Sequence, residues 1–321
     1  MSAAPPAADV AAVDRLNTGL LLLSLGVALI LPFHLFLVAY AVLGPLHYLT
    51  QLRWLHRRRY FIPSTAPRFA LWLGAGLAVA AVAPAALGLQ PPAGLQATVA
   101  LCALAIAAAM SWAPSPRGLI GALGAGLAVA FLTADQPAVA FALTVLMPTV
   151  VHVWLFTLFF MLFGAFRANS AVGKLNAALL LTAPFVLAMA SSVPYVSLAP
   201  SSLSVFVDGG FADLNVRLTA FLGLDAGDAR TVRTVQAFLA FAYAYHYLNW
   251  FTKTSIIGWQ AGLTRRSKRV LLGLWLVFSG IYAIDFSLGV ATSFVLSVLH
   301  VYAELPLDMV ALKGTVKRWL G

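Results

Sequence analysis

Charge is the scarcest property of this sequence. Asp, Glu, Lys and Arg together make up 9% of its 321 residues, against about 25% in a soluble domain. That shortage excludes a water-soluble globular enzyme, a nucleic-acid-binding domain and a disordered chain. Glutamate occurs once, as Glu304, and cysteine once, as Cys102. A single cysteine forbids an internal disulfide and a thiolate cluster, so metal chemistry falls to imidazole and carboxylate. The signatures of soluble catalysts are missing too: there is no GxSxG, Walker loop, HExxH or CxxC. Nor are there clustered His boxes of the HxxxH or HxxHH kind.

What the sequence has is apolar length. Hydrophobic residues make up 62% of it, and the mean hydropathy is +0.92. The runs are long and uninterrupted, whereas a transmembrane barrel would show short alternating segments. The class is therefore an all-α, polytopic transmembrane helical bundle. Residues 17–52 stay apolar for about 36 positions, roughly 54 Å of helix, too long for one crossing of about 30 Å. Pro32 suits the first turn of a second helix, which splits the run into 15–31 and 33–53. Further spans read at 68–89, 95–113, 117–134, 138–164, 175–198, 233–253, 269–288 and 290–312. This gives nine or ten spans, depending on whether the first run divides. Residues 1–14 read as a flexible tail, 15–313 as one transmembrane domain and 314–321 as a basic C-terminal tail.

The net charge of +10 does not point to nucleic acid, because the basic residues cluster at the ends of apolar runs. Arg53, Arg57, Arg58, Arg59 and Arg68 form one cluster; Arg167 with Lys174, Arg265–Arg266–Lys268–Arg269, and Lys313, Lys317 and Arg318 form the others. The turns near 90–94, 135 and 289 carry no Lys or Arg. That alternation puts the basic loops and the C-terminus on the cytoplasmic side of an inner membrane. The loop 199–232 then lies outside, and its amphipathic stretch Phe211–Leu222 is expected to lie along the bundle or membrane surface. Gly118, Gly121, Gly124 and Gly126 are expected to let helices approach closely.

Intramembrane ionisable residues are costly and mark function by default. Of six histidines, His56 sits among arginines and His34 near a helix end. The other four, His47, His152, His246 and His300, fall inside four different spans. In the last span Ser293, Ser297, His300, Glu304 and Asp308 are spaced to share one helical face. Tyr243, His246, Asn249 and Lys253 share another, and Tyr40, Gly44, His47 and Gln51 a third. For one histidine alone, an interhelical hydrogen bond worth under about 2 kcal/mol is the competing account. Four of them, with the sole glutamate beside His300, favour a shared site. Neutral imidazoles with a carboxylate suit Fe, Zn, Cu or Mn. Gln51, Asn249 and Asp308 would orient the ligands, with Tyr243 lining the pocket.

The order of these motifs resembles the bacterial β-carotene dioxygenase (Brp/Blh) family. FLAFAYAYHYLNWF resembles that family's late aromatic-rich helix with an iron-type histidine, and VLSVLHVYAELPLD its final helix, with a histidine followed by an acid. The likeness covers residues 236–311 and, more faintly, the region of His47. The family's Pro-His-Gly and His-Phe-Gly segments have no counterpart here. The resemblance implies a polytopic membrane protein that holds a non-haem iron through histidines on several helices. The expectation is thus a membrane metalloenzyme with His47, His152, His246 and His300 as ligands and Glu304 as ligand or acid/base. It would act oxidatively on a lipid- or isoprenoid-like substrate drawn from the bilayer. Two alternatives stand beside it. One is a haem b electron-transfer protein with the histidines as axial pairs. The other is a proton-coupled transporter using Glu304, Asp308, Lys253 and His300.

Overall fold

A computed structural model describes residues 7–62, 65–86, 94–260 and 263–320. Among them there are helices and no strands. In chain order these are α1 (Ala7–Ile30), α2 (Pro32–Arg57), α3 (Thr65–Ala86), α4 (Leu95–Trp112), α5 (Pro116–Leu132) and α6 (Pro137–Ala168). There follow α7 (Ala171–Met189), α8 (Pro200–Asp208), α9 (Phe211–Phe221), α10 (Ala229–Lys253), α11 (Arg265–Ile284) and α12 (Phe286–Trp319).

Local chemistry sets the boundaries. Leu31 leaves the helical region (φ −129°, ψ 49°) and Pro32 opens α2, so the long first run does divide. Ser115, Ser170 and Thr264 each accept a backbone N–H at the starts of α5, α7 and α11, as N-caps do. Asp228 accepts two, from Arg230 and Thr231, at the start of α10. Helix α6 departs from α geometry over Ala142–Phe156, a π-helix that contains Pro148. A second π-turn, Ala39–Leu43, interrupts α2, and there the Val42 carbonyl accepts a hydrogen bond from Trp275 Nε1 at 2.9 Å.

Seven described helices are long and apolar enough to cross a membrane: Asp9–Ile30 within α1, and α2, α4, α6, α7, α11 and α12. Three of the ten expected spans do not meet that measure. Helix α5 is short at 17 residues; in α3 a shorter apolar stretch is described over Pro67–Ala80, and residues 87–89 of that expected span lie outside the described residues. Helix α10 is long at 25 residues, but its arginines, tyrosines, histidine and asparagine lower its hydropathy. The expected tail over 1–14 is helical from Ala7, and the expected C-terminal tail from 314 is helical to Trp319. The turn expected near 90–94 falls, apart from Gly94, outside the described residues.

Burial is arranged as in a lipid-solvated protein. Phe69, Ile120, Phe131, Phe185, Met189, Leu276 and Ile284 are exposed, while Asn17, His47, Gln51, His152, Asn176, Gln236, His300, Glu304 and Asp308 are buried. Apolar groups outside and polar groups inside is the arrangement a bilayer selects.

The chain divides into two compact units. The first is residues 1–47 with 153–290, and the second is 48–152 with 291–321. In the first unit α10 is central. Helix α1 packs on α10 and α7, the first half of α2 packs on α10, and the second half of α6 packs on α7. Helix α9 lies on α10, where Asn215 Nδ2 donates to the Val232 carbonyl and to Gln236 Oε1, both at 3.1 Å. Phe211, at its start, packs edge-on against Phe36 and Tyr40. The amphipathic stretch is thus a helix whose buried face is held by its own unit. In the second unit α4 packs between α3 and α5. There a Cβ on Gly126 would stand 3.2 Å from Ala105 Cβ, so this glycine does permit close approach. Gly121 and Gly124 face open space instead.

Candidate metal centre

In the second unit, α12 carries His300, Glu304 and Asp308 on successive turns, all buried. The π-helical part of α6 presents His152 to that face. His152 Nε2 lies 3.1 Å from His300 Nε2 and 3.5 Å from Glu304 Oε2. His300 Nε2 lies 3.9 Å from the same carboxylate oxygen. The three side chains therefore offer one ligand atom each within 4.8 Å of one another.

The surrounding residues fix how these groups present themselves. The Nδ1–H of His300 donates to the Ser297 carbonyl at 2.8 Å. A carbonyl can only accept, so Nε2 of His300 carries the lone pair. The Tyr48 ring stacks on the His300 ring at 4.6 Å. Gln51 hydrogen-bonds the Glu304 side chain. Asp308 Oδ2 stands 3.8 Å from His152 Nδ1, on the far side of that ring from His300. Glu304 Oε2 and both carboxyl oxygens of Asp308 are buried and accept no hydrogen bond within the described residues. Buried acceptors left without donors are costly, and a cation between the two imidazoles would satisfy Glu304 Oε2. Ligands about 2.1 Å from a common ion stand about 3 to 3.5 Å apart at right-angled or tetrahedral positions. The shorter two of the three separations fall there, and the donor set fits a divalent transition metal.

The first unit holds a second imidazole pair. His47 on α2 and His246 on α10 approach with Nε2 to Nε2 at 3.1 Å. Thr157 donates its hydroxyl hydrogen to the Val153 carbonyl at 2.8 Å. Its oxygen therefore accepts the Nδ1–H of His246 at 2.7 Å, and again Nε2 is left as the ligand atom. Tyr247 lies beside His47, with ring centroids 4.9 Å apart.

Thus the structure brings the four expected histidines together as two pairs, one in each unit, with Glu304 beside the second. Gln51 and Asp308 stand next to the Glu304 and His152 side chains. Two expected site residues are placed otherwise. Tyr243 belongs to an aromatic column with Phe36, Tyr40 and Tyr247. Asn249 lines a small polar cavity with Asp14 and Lys253. Histidines 34 and 56 join neither pair; His56 bonds the Tyr60 hydroxyl at 3.0 Å. Thr157 and Tyr48 were not foreseen. Thr157 lies in an apolar stretch, and no local pattern ties it to His246, 89 residues away in sequence. Comparison of the chain with family models, with curated proteins and with solved structures finds no match to any of them.

Proposed function

We propose that this protein is an integral membrane metalloenzyme whose resident ion is held by His152, His300 and Glu304. One observation carries the reading: the buried group in which two imidazole Nε2 atoms and one carboxylate oxygen lie within 4.8 Å of one another. Two histidines and one carboxylate, leaving other coordination positions open, is the donor set of non-haem iron(II) oxygenases. Iron is therefore the favoured metal. Such an ion would supply activation of O₂. The 3.1 Å between the two Nε2 atoms favours an ion over haem, because axial ligands on opposite faces of a porphyrin stand about 4 Å apart, at about 2 Å from the metal each.

The chain's own residues prepare the site. Ser297 fixes the His300 ring, Asp308 stands beside His152 Nδ1, and Gln51 holds the carboxylate. The apolar surroundings exclude water and favour an apolar substrate, of the lipid or isoprenoid kind, that enters from the bilayer. A cavity in the same unit, lined by Met147, Phe294, Ser297, Val301 and Tyr302, shares its Ser297 wall with the His300 anchor. The reading includes ten spans, with α3, α5 and α10 crossing alongside the seven, and a cytoplasmic C-terminus in an inner membrane.

The test is metal analysis of protein purified gently and without chelators. Near-stoichiometric iron is expected in the wild type, with loss in His152→Ala and His300→Ala and retention in His56→Ala. Less than about a tenth of an equivalent, against the submicromolar affinity of a resident site, would turn the reading towards proton-coupled transport.

A further inference from the structure

A second polar site lies in the first unit, away from the imidazole pair that unit carries. It forms where α1, α6, α7 and α10 meet. Its walls include Asp14, Asn17, Gly173, Asn176, Asn249 and Lys253, and its free volume is about 10 Å³, room for one water-sized particle.

Hydrogen bonds already engage most of the polar atoms around it. Asn17 Nδ2 is spent on the Val13 carbonyl at 3.0 Å, and Asn176 Nδ2 on the Asp14 carbonyl at 2.8 Å. Their oxygens are thereby turned the other way. Asn176 Oδ1 accepts from Thr18 at 2.7 Å, and Asn17 Oδ1 accepts from Thr252 at 3.0 Å. Each amide oxygen keeps a second lone pair. Asp14 Oδ2 accepts from Ser170 at 2.5 Å. Asn249 is only 7% exposed, and its Oδ1 is buried with no donor among the described residues. The cavity is therefore lined by one carboxylate and three amide side chains, and the Asn249 oxygen among them is unsatisfied. Hard oxygen donors of this kind select hard cations. One negative charge and a volume of one particle select a monovalent ion of sodium's size.

We infer that this cavity is a site for one monovalent cation, with Na⁺ the fitting ion, in exchange with the Lys253 proton. Lys253 lines the cavity beside Asp14. Two positive charges on one carboxylate in a low-dielectric interior would leave one uncompensated. Na⁺ therefore binds as the Lys253 ammonium gives up its proton to solvent, and the site's charge is zero before and after. Among the described residues the titratable group set against Lys253 is Asp14 from α1; the hydroxyl of Tyr245, also on α10, donates to Met161 Sδ at 3.6 Å. Helix α6 presents Met161 and α7 presents Gly173 and Asn176, none of which titrates.

The experiment uses the full chain in detergent and titrates NaCl against choline chloride, by calorimetry in buffers of different ionisation enthalpy. The expected result is saturable binding of one Na⁺ per chain with about one proton released. Asp14→Asn should weaken binding by about tenfold or more. So should Gly173→Ala, whose Cβ would stand 2.9 Å from Ala165 Cβ and 3.0 Å from Asp14 Oδ2. Lys253→Met should bind Na⁺ without releasing a proton. Asn249→Ala, which removes the unsatisfied oxygen without adding bulk, should weaken binding even if Gly173→Ala fails to fold. Absence of saturable Na⁺ binding by folded wild type, or equal binding by wild type and Asn249→Ala, would overturn the inference and leave the cavity to a water.

Discussion

Thr157 holds His246 by the ring nitrogen that faces away from His47, at 2.7 Å. One hydroxyl thus sets the tautomer of a histidine on another helix. Thr157→Val keeps the shape and removes the acceptor, so Nδ1–H of His246 is left buried without a partner. A loss of about 1–3 kcal/mol is expected, read as a lower melting temperature in detergent. Thr157→Ser should restore most of it. Equal melting of the Val and Ser variants would show that the hydroxyl does not carry the interaction.

The orienting groups around His152 and Glu304 should matter nearly as much as the ligands. Gln51→Leu removes the hydrogen bond to Glu304, and Asp308→Leu removes the acid 3.8 Å from His152 Nδ1. Each should lower metal affinity by about 10- to 100-fold, measured by chelator competition. Glu304→Gln separates two roles. If the carboxylate is a ligand, occupancy falls; if it acts as acid or base, the ion stays and turnover is lost.

The start of α10 provides a pH signature. The Thr231 hydroxyl, and then the N–H groups of Arg230 and Thr231, hold the Asp228 carboxyl below its ordinary range. A depressed folded-state pKa means that the cap stabilises the helix above the unfolded value, about 3.9, and is lost as pH falls through the folded one. The wild type should therefore melt above Asp228→Ala at neutral pH, and the gap should narrow on acidification towards pH of about 3. A gap that stays constant from neutral to acid would show that the charge on Asp228 has no part in the cap.

Topology follows from the basic clusters. Reporter tags after residue 58, after residue 267 and at the C-terminus should all report the cytoplasmic side, and a tag at residue 209 the opposite one. A cytoplasmic signal at residue 209 would invert the arrangement.

How much of this was legible in the sequence varies by element. Pro32 marked a real break, and the helical spacing of His300, Glu304 and Asp308 did place them on one buried face. His152 was the hardest to read, because its neighbours Val151, Val153, Trp154 and Leu155 are apolar and give no polar stripe. The reason is now visible: it sits in a π-helix, whose register a 3.6-residue period cannot follow. The neighbours of Asn249 were hidden for a different reason. That residue shares a helical face with His246, but helices α1 and α7 bring Asp14 and Asn176 to it, and no local pattern announces those partners. The glycines of α5 were overread, since a small residue reports permission for contact and not the presence of a neighbour.

The wide winding of α6 also bears on which length changes the gene can survive. Each π-turn holds one residue more than an α-turn, so the stretch Ala142–Phe156 carries slack that can be taken in. Loss of one codon between Ala142 and His152 can be absorbed by tightening a single turn, with the flanks kept in phase. The same loss in α12, between Phe286 and His300, has no such reserve. It would swing His300 by about 100° around the helix axis relative to the residues before the gap. Of the two helices that supply this ligand set, one tolerates indels and the other fixes the reading frame of the site.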